Sequence, residues 1–429
     1  MRMARGIGFS VLAACLLLAP TSSFGAGFAL FEHGARAVGL GGAFGATADD
    51  PTAIYYNPAG IAFLPGTQFA AGVYLITESA TFKGANPYPG QGYSADIKKQ
   101  IFFPPHVYLT GELTPDLHWG LGVYAPFGLG MWWPNDYAGK YIVKRVDLKT
   151  YNFNPTLSYK VTDHLALAVG LDYFYSALDL TRSLGAINPY LQQVSEVGQV
   201  HLYTDYKGAI GWNVGLLGKL DGGFSIGATY RSNVKIDYTG KASFTHYLTG
   251  YPDFDAIVGS ELPFGSKPTA KTSIKYPDET RFALAWHGSK LGIEVDYVRM
   301  GWSSFKNLPI DLVGYPFLSE TRPENYEASA CTRLGVEYKA SPSLAWQFGV
   351  LYDKNPVPAA SVSPLLPDSD RRGATIGASI GLSPKTRLDI SYMYLPFKER
   401  STGGVNYDNY EGTYKTTANL FGFTVVHKF

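Results

Sequence analysis

Charge is scarce in this chain, and the two signs nearly cancel. Only 17% of the 429 residues are charged, against roughly 25% in typical soluble domains, and the formal net charge is +1. A protein that binds nucleic acid through a broad basic surface needs a large excess of lysine and arginine. We therefore expect no nucleic-acid partner.

Cysteine and long apolar runs are also scarce. The chain has two cysteines and no H-E-x-x-H motif, which argues against the common structural and catalytic zinc sites. After the first twenty residues, no stretch approaches the roughly 18 apolar residues that a membrane-spanning helix needs. We expect no metal, no cofactor and no enzyme activity, although a Ser-His pair assembled by folding stays open.

Residues 1–25 are typical of an export signal. Two arginines precede an apolar core from Ile7 to Ala19, and small residues precede a cut at Ala26. The stretch from Leu12 to Cys15 resembles a lipoprotein cleavage box, but the apolar residues that follow argue against it. A cut at Ala26 would leave Cys331 as the one cysteine, which excludes an intramolecular disulfide.

Alternating segments make up most of the chain. From Leu165 to Ser176, large apolar residues alternate with residues that are mostly small or polar. A soluble β-sandwich gives the same pattern. Here, however, tyrosine and tryptophan fall toward the ends of the apolar faces, as at Tyr173 and Trp286, and the exported chain has no spanning helix. Because every backbone group must be paired in hydrocarbon, these features predict an all-β fold, a closed transmembrane antiparallel β-barrel.

The number of alternating segments is about fourteen, and bacterial outer-membrane barrels have an even number of strands. The predicted strand cores are 68–79, 104–113, 117–127, 150–161, 165–181, 200–219, 223–238, 272–286, 290–299, 329–339, 343–353, 373–382, 386–395 and 416–429. Short turns such as Thr114–Asp116 alternate with long loops. We expect the short turns on the periplasmic side and the long loops outside.

The segment before the first strand does not belong to the wall. Residues 26–66 are too rich in glycine for a stable helix and have no period of two. Their large apolar side chains argue against disorder, and the glycines lack the spacing and the lysine of a phosphate-binding loop. We predict an N-terminal hatch (plug) at 26–66 inside a barrel formed by 67–429.

The stretch GFALFEHGARAVGLGGAFGATADDPTAIYYNPAGIA resembles the start of the FadL-type outer-membrane transporters of long-chain fatty acids and aromatic hydrocarbons (FadL/TodX-like). Mature chains of that family open with a glycine-rich hatch that carries an Asn-Pro-Ala motif. Blocks from Pro104, Asn152 and Leu366 are similar in the same order. The resemblance implies a fourteen-stranded barrel in the outer membrane of a Gram-negative bacterium, with the hatch closing its lumen.

The resemblance also implies a route for hydrophobic compounds. They would be captured by outer loops and released sideways into the membrane through a gap at a kinked strand. This route suits an apolar molecule, which gains by never entering the aqueous periplasm.

The expected hatch motif is Asn57, Pro58 and Ala59, with Asp49 and Asp50 beside it. Pro58 fixes its own φ and keeps Asn57 out of the helical region, so the tripeptide enforces a turn that can cap the hatch against the wall. The two aspartates either pair with cations in the lumen or cap local turns, and both alternatives stay open.

The predicted strand kink lies at Pro126, with Gly128 and Gly130 after it. A proline in a barrel wall needs an unpaired edge, a bulge or a bend. We expect the lateral opening near this segment, facing the hatch. The alternative is that Pro126 simply ends a strand where a loop begins.

Substrate contacts are predicted at apolar residues of two outer loops and of the hatch, with an arginine for a carboxylate. The apolar residues are Met131, Trp132, Trp133, Leu184, Ile187, Tyr190, Leu191, Phe28 and Phe31, and the arginine is Arg182. Exposed apolar loop residues are costly unless they meet something apolar. Mutual packing of the two loops would satisfy them equally well, and a solvated charge of the barrel interior is an equal interpretation of Arg182.

The sequence leaves two alternative functions and the identity of the cargo open. A general diffusion porin would have an open, water-lined lumen, and a structural or adhesive barrel would need no apolar capture loops. The expected partners are a hydrophobic small molecule, either a fatty acid or an aromatic hydrocarbon, and the lipid and lipopolysaccharide of the outer membrane. The resemblance implies a monomer.

Overall fold

The computed structural model describes residues 27–429, so the predicted signal at 1–25 and Ala26 lie outside the described residues. Twenty-three strands follow one another in this part of the chain. They are β1 (Gln68–Gly84), β2 (Ser94–Asp96), β3 (Ile101–Phe102), β4 (Pro105–Glu112), β5 (Leu117–Tyr124), β6 (Gly128–Trp132), β7 (Arg145–Thr162), β8 (Leu165–Asn188), β9 (Gln193–Thr204), β10 (Lys207–Lys219), β11 (Phe224–Arg231), β12 (Val234–His246), β13 (Thr269–Tyr276), β14 (Glu279–His287), β15 (Leu291–Met300), β16 (Asn307–Leu312), β17 (Glu320–Pro323), β18 (Ser329–Ser341), β19 (Leu344–Asp353), β20 (Arg371–Ser383), β21 (Thr386–Pro396), β22 (Arg400–Ser401) and β23 (Gly412–Lys428).

The helical elements within residues 27–429 are short. They are α1 (Ala35–Gly39), α2 (Ala53–Tyr56), α3 (Pro252–Glu261) and 3₁₀ turns at Pro58–Phe63, Ala138–Tyr141, Asp221–Gly223, Trp302–Ser304, Pro316–Leu318 and Ala359–Ser361. In the described part of the chain, no helix has both the length and the apolar character to cross a membrane.

Fourteen strands form a closed antiparallel barrel wall. Their order around the ring is β1, β4, β5, β7, β8, β10, β11, β14, β15, β18, β19, β20, β21 and β23. The ring closes where β1 pairs with β23, from Gln68 opposite Lys428 to Gly84 opposite Gly412. The predicted all-β barrel of about fourteen strands is confirmed.

Alternation along the wall separates an outer apolar face from an inner face of small and polar residues. In β8, Leu167, Val169 and Leu171 are exposed, whereas Ala166 and Asp172 on the opposite face are buried. A charge at mid-depth on the lipid face would cost about 2–4 kcal/mol. That cost explains why Asp172 lies on the inner face.

The two ends of the barrel differ in the length of their connections. Short turns join β4 to β5, β7 to β8, β14 to β15 and β20 to β21, whereas long excursions follow β1, β11, β15, β19 and β21 at the other end. Short periplasmic turns and long external loops are the rule in such barrels. The long excursions therefore mark the outer end.

Three strands predicted as continuous are each divided by two residues. The breaks fall at 205–206, 232–233 and 277–278, inside the predicted cores 200–219, 223–238 and 272–286. Beyond the breaks, β9, β12 and β13 pair with one another and with the upper part of β8, and β16 and β17 extend this sheet outside the wall. Alternation continues across each break, so a period of two cannot reveal it. Pro277, which has no N–H to donate, is the one local sign.

Residues 27–64 lie inside the ring and are almost all buried. The predicted absence of a stable helix needs a correction, because α1, α2 and the turn at Pro58–Phe63 are helical. Each spans six residues or fewer, and glycines at 41, 42 and 45 lie between α1 and α2. We call residues 27–66 the inner segment.

Candidate functional site

Asn57, Pro58 and Ala59 begin the 3₁₀ turn of the inner segment. The Asn57 side-chain oxygen accepts a hydrogen bond from the Ala59 amide (3.2 Å), and its Nδ2 donates to the carbonyl oxygens of Gly45 (2.7 Å) and Leu216 (3.0 Å). Pro58 occupies the first position of the turn, where its missing N–H costs nothing. Since Leu216 belongs to β10, one side chain joins two parts of the inner segment to the wall.

Asp49 and Asp50 both contact arginine, and Asp50 also caps a turn. Asp49 pairs with Arg36 of the same segment. Asp50 pairs with Arg387 of β21 (2.8 Å) and accepts hydrogen bonds from the Thr52 amide (3.0 Å) and hydroxyl (2.6 Å). Burial would raise the pKa of Asp50, but the two arginines and Thr52 together lower it below its ordinary value. Asp50 therefore does both things considered from the sequence: it pairs with a cation of the wall and it caps a turn.

One side of the inner segment meets the wall through buried charges. Arg36 forms an ion pair with Glu337 of β18 (Nε to Oε2, 2.7 Å). The Glu294 carboxylate of β15 accepts hydrogen bonds from the amides of Ala46 (2.7 Å) and Thr47 (2.9 Å). The donors to Glu294 are fixed by the backbone, so this contact specifies a single position of the segment.

The opposite side of the inner segment is apolar. Ile54 and Ile61 pack against β5, where Gly120 leaves them room: a Cβ at Gly120 would lie 2.7 Å from the Ile54 Cδ1. Tyr55, Tyr56 and Tyr124 lie edge to face in the same buried cluster. The segment thus has a charged side and an apolar side, each matched to its part of the wall.

Pro126 interrupts the third wall strand without ending it. β5 stops at Tyr124, and β6 resumes pairing with the same partner, β7, at Gly128. Tyr124 pairs with Asn152 of β7, and Gly128 pairs with Lys149 of the same strand. The two paired positions are thus four residues apart on this strand but only three residues apart on β7. One extra residue is therefore inserted, which is the definition of a bulge.

Beyond Pro126, the wall has a gap. β5 pairs with β4 as far as Tyr124 opposite His106, whereas β6 pairs with β7 alone. The next backbone bond across the gap joins the Lys98 amide to the Trp132 carbonyl (2.7 Å). Between these points lie Pro104 and Pro105, which cannot donate to a ladder. The stretch 99–105 pairs with β1 on one side but has no ladder on the side that faces β6, and at about 3.3 Å per residue it spans about 20 Å.

The inner segment meets this gap from inside. The Leu30 amide donates to the Pro126 carbonyl (2.9 Å), and the Gly128 amide donates to the Phe28 carbonyl (3.0 Å). Phe28 also packs edge to face on Trp302, with 4.6 Å between ring centroids. The start of the inner segment therefore pairs with the edge that the wall leaves free.

A cavity of about 710 Å³ passes through the gap. Ile101 and Phe103, which line it, are exposed on the outer surface, whereas Phe28, Phe127 and Leu420, which also line it, are buried inside the barrel. Its lining therefore continues from the lumen to the lipid-facing surface.

Several cations lie along the cavity. Arg145 pairs with Asp147 and lies over the Trp132 ring, 4.3 Å from its centre. Lys99 and Lys149 line the cavity, are exposed, and have no carboxylate within ion-pair distance among the residues described. Across residues 27–429, no three histidine, cysteine, aspartate or glutamate side chains come together as a metal site.

The other predicted contact residues are scattered. Met131 and Trp132 lie in β6, not in a loop as predicted, because β7 continues far enough to pair with them. Trp132 lines the cavity, but Met131 is buried, and Trp133 stacks on Tyr137 (5.0 Å between centroids) and donates to the Pro364 carbonyl (3.0 Å).

The remaining candidates lie away from the gap. Leu184 and Ile187 belong to β8, Tyr190 and Leu191 to the tip after it, and Tyr190 stacks on Tyr251 with 5.0 Å between centroids. Arg182 pairs with Glu320 (2.7 Å) beside a separate cavity of about 230 Å³. The Arg333 guanidinium lies over the Phe31 ring, with 4.1 Å between its central carbon and the centre of that ring.

Sequence reasoning missed the residues at 99–105 and Trp302. The letters KQIFFPP combine three exposed or half-buried apolar residues with two prolines, which was the available signal of a broken wall strand. Trp302 gave no signal, because it lies in a loop that folds back into the barrel.

The family model described as outer membrane protein transport protein (OMPP1/FadL/TodX) matches residues 16–429. The chain belongs to this family. It is 27% identical over 417 residues to the long-chain fatty acid transport protein of Escherichia coli O6:H1, with 90% of each chain covered. It is 25% identical over 460 aligned residues to outer membrane protein P1 of Haemophilus influenzae, with 96% of this chain and 95% of that one covered.

Solved structures of the FadL/TodX type share the fold. A Pseudomonas aeruginosa FadL homologue superposes with a TM-score of 0.83 at 20% identity, covering 94% of this chain and all (100%) of that one. The P. putida toluene transporter TodX gives 0.69 at 17% identity, covering 92% and 98%. The protein is thus a FadL/TodX-family transport protein of the Gram-negative outer membrane and not an enzyme.

Proposed function

We propose that this FadL/TodX-family protein takes up a hydrophobic compound, either a long-chain fatty acid or an aromatic hydrocarbon, and releases it sideways into the outer membrane through the gap beside Pro126. The observation that carries the proposal is the cavity of about 710 Å³, whose lining continues from Phe28 inside the barrel to Phe103 on the lipid-facing surface.

The chemistry of the gap supports the proposed sideways route. The residues that flank the gap, Ile101, Phe102 and Leu129, are apolar, and the prolines at 104 and 105 have no N–H that would need a partner there. An apolar cargo that leaves here moves from an apolar cavity into hydrocarbon and exposes no apolar surface to water.

The inner segment would act as the hatch. Its contacts with Pro126 and Gly128 lie at the edge of the gap, so a small displacement of residues 27–30 would change how widely the cavity opens. Asn57, Arg36 and Asp50 hold the remainder of the segment to the wall and would keep the lumen closed to water.

Lys99 and Lys149 would suit a fatty acid. Both line the cavity, and neither has a carboxylate partner within residues 27–429, so a carboxylate cargo would find two free cations near the surface. An aromatic hydrocarbon makes no use of them. Lys99→Gln together with Lys149→Gln should therefore weaken uptake of oleate and leave uptake of toluene unchanged.

The deciding experiment measures uptake of labelled oleate and of labelled toluene by cells that lack their own transporter. Wild type is compared with Asn57→Ala, Pro58→Ala at matched surface expression, and the exposed Asn233→Ala serves as the control. Uptake of one cargo, reduced in the double variant and unchanged in the control, identifies the substrate class and places the inner segment on the path.

Uptake of neither cargo, together with substantial ion conductance in a planar bilayer, would overturn the proposal and leave a general diffusion porin. Low ion conductance is expected, because the inner segment lies inside the ring and contacts β5, β10 and β15 of the wall. We further propose that the protein works as a monomer in contact with lipid and lipopolysaccharide, since its closed ring leaves no wall edge that needs a second copy.

A further inference from the structure

Four lysines share one face of the hairpin formed by β12 and β13. Lys235 and Lys241 alternate with buried residues along β12, and Lys271 and Lys275 do the same along β13. The antiparallel register places Lys235 directly opposite Lys275. We call Lys235, Lys241, Lys271 and Lys275 the lysine face.

The lysine face points away from the barrel. Residues of the opposite parity, Ile236 and Tyr238 in β12 and Ile274 in β13, are buried in the cluster that contains Phe28 and Trp302. Because successive side chains in a strand point to opposite sides, the lysines lie on the outer surface.

The lysine face stands just above the apolar band of the wall. Below it, Tyr230 of β11 packs on the outward-facing Trp212, with 5.1 Å between ring centroids. Aromatic girdles of this kind mark the boundary between hydrocarbon and headgroups. Lys235 follows Tyr230 by five residues, about 16 Å of extended chain at most. Lys235, and Lys275 opposite it, therefore reach the headgroups of the outer leaflet.

The positive charge of this face is only partly balanced. Lys235 pairs with Asp237 (2.7 Å), an exposed contact, and Asp311 of β16 lies opposite Lys271 in the register. Lys241 and Lys275 have no ion pair among residues 27–429. Like charges placed directly opposite each other destabilise a strand pair, and the exposed Asp237 offsets the charge of Lys235 alone, so Lys275 keeps an unbalanced charge opposite Lys235.

We propose that the lysine face binds the phosphate groups of lipopolysaccharide in the outer leaflet. Lipopolysaccharide carries several phosphates at the height that the lysines reach, and its acyl chains would lie along the apolar band beneath Tyr230 and Trp212. A multivalent anion bridging Lys235 and Lys275 removes their repulsion and forms charge-assisted hydrogen bonds. The proposal rests on the outer-membrane location and is independent of which cargo the barrel carries.

The test uses the full-length protein in detergent, and native mass spectrometry measures its binding of lipid A with two phosphates. Lys235→Gln together with Lys275→Gln should weaken binding by about 25-fold, because each lysine near a charged membrane surface contributes about 1 kcal/mol of attraction. The control is Lys290→Gln together with Lys385→Gln, which removes two exposed charges from the short turns at the other end. Lys235→Arg together with Lys275→Arg should keep binding and shows that the site tolerates substitution.

Two further probes separate the source of the affinity. Lipid A without phosphates should bind weakly to every variant, and inorganic phosphate alone should not bind measurably. Equal binding of the dephosphorylated lipid would overturn the proposal in favour of acyl-chain contacts. An equal loss in the control, or tight binding of inorganic phosphate alone, would also overturn it. Cargo uptake is not measured, so failure here leaves the transport proposal untouched.

Discussion

The Arg36 guanidinium of α1 meets the Glu337 carboxylate of β18 through two hydrogen bonds, Nε to Oε2 at 2.7 Å and Nη2 to Oε1 at 3.0 Å. The side chains are 7% and 8% exposed. Removing one partner of a buried pair leaves an uncompensated charge, at a cost of about 3–5 kcal/mol. We expect Arg36→Met to increase amide hydrogen exchange throughout residues 35–63. Arg36→Met combined with Glu337→Gln should recover part of this loss.

Arg299→Met is the matched control for this prediction. Arg299 pairs with Asp278 (3.2 Å), but it is largely exposed, and such pairs contribute about 0–1 kcal/mol. Exchange in the inner segment should stay at the wild-type rate. If Arg36→Met and Arg299→Met behave alike, the buried pair does not hold the segment.

Gly130 lies against the ring of Phe102 across the gap, and a Cβ at this position would overlap that ring. Gly130→Val should therefore push Phe102 into the cavity. Cargo must displace this ring to pass, and at about 1.4 kcal/mol, within the roughly 1–3 kcal/mol typical of overpacking, uptake should fall about tenfold. Gly381→Val is the control, because a Cβ there has its nearest neighbour at an ordinary 3.4 Å and lies far from the gap. Unchanged uptake by Gly130→Val at matched surface expression would argue against a route through this gap.

The Trp132 indole lies between the cavity and the wall. Its Nε1 donates to both carboxylate oxygens of Asp147 (3.1 Å each), and the Arg145 guanidinium lies over its ring. Trp132→Ala removes part of the apolar lining and exposes the ion pair of Arg145 and Asp147 to the cavity. We expect the apparent KM for cargo uptake to rise about tenfold, an order of magnitude typical of losing one aromatic contact. Trp132→Phe should restore most of it.

Trp346→Ala is the comparison for Trp132. Trp346 is a half-exposed residue of β19 on the lipid-facing surface and does not line the cavity. It should leave the apparent KM unchanged. A similar rise in both variants would mean that the effect comes from the wall as a whole.

Sequence alone predicted the barrel because its signal is repeated in every strand. The period of two that exposes Leu167 and buries Asp172 recurs around the ring, so single errors do not change the conclusion. The Asn57 turn was also predictable, since Pro58 restricts the backbone locally. The cavity was not: Phe28, Phe102 and Leu420 are far apart in the chain and share no local pattern. Arg182 shows the same limit, because its partner Glu320 lies 138 residues away.

Glu324 provides a pH-dependent contact outside the membrane-spanning strands. It is buried between β17 and β18, and its carboxylate accepts a hydrogen bond from the Arg322 Nε at 3.0 Å. Its carbonyl accepts a hydrogen bond from the Ser361 hydroxyl (2.6 Å), which joins two outer loops. Burial raises the pKa of Glu324 from 4.5 to about 7; Arg322 opposes the rise and Asp408 adds to it.

A carboxyl whose pKa is raised by folding binds its proton more tightly in the folded state. The resulting stability is fully present below about pH 4.5 and is lost as the pH rises through about 7. We expect the unfolding temperature, followed by tryptophan fluorescence, to fall between pH 5 and pH 8, roughly the window of this titration. Glu324→Gln, which mimics the protonated form, should flatten this fall, whereas the exposed Glu327→Gln should reproduce the wild-type curve. If both variants keep the wild-type slope, the pH dependence arises from groups other than Glu324.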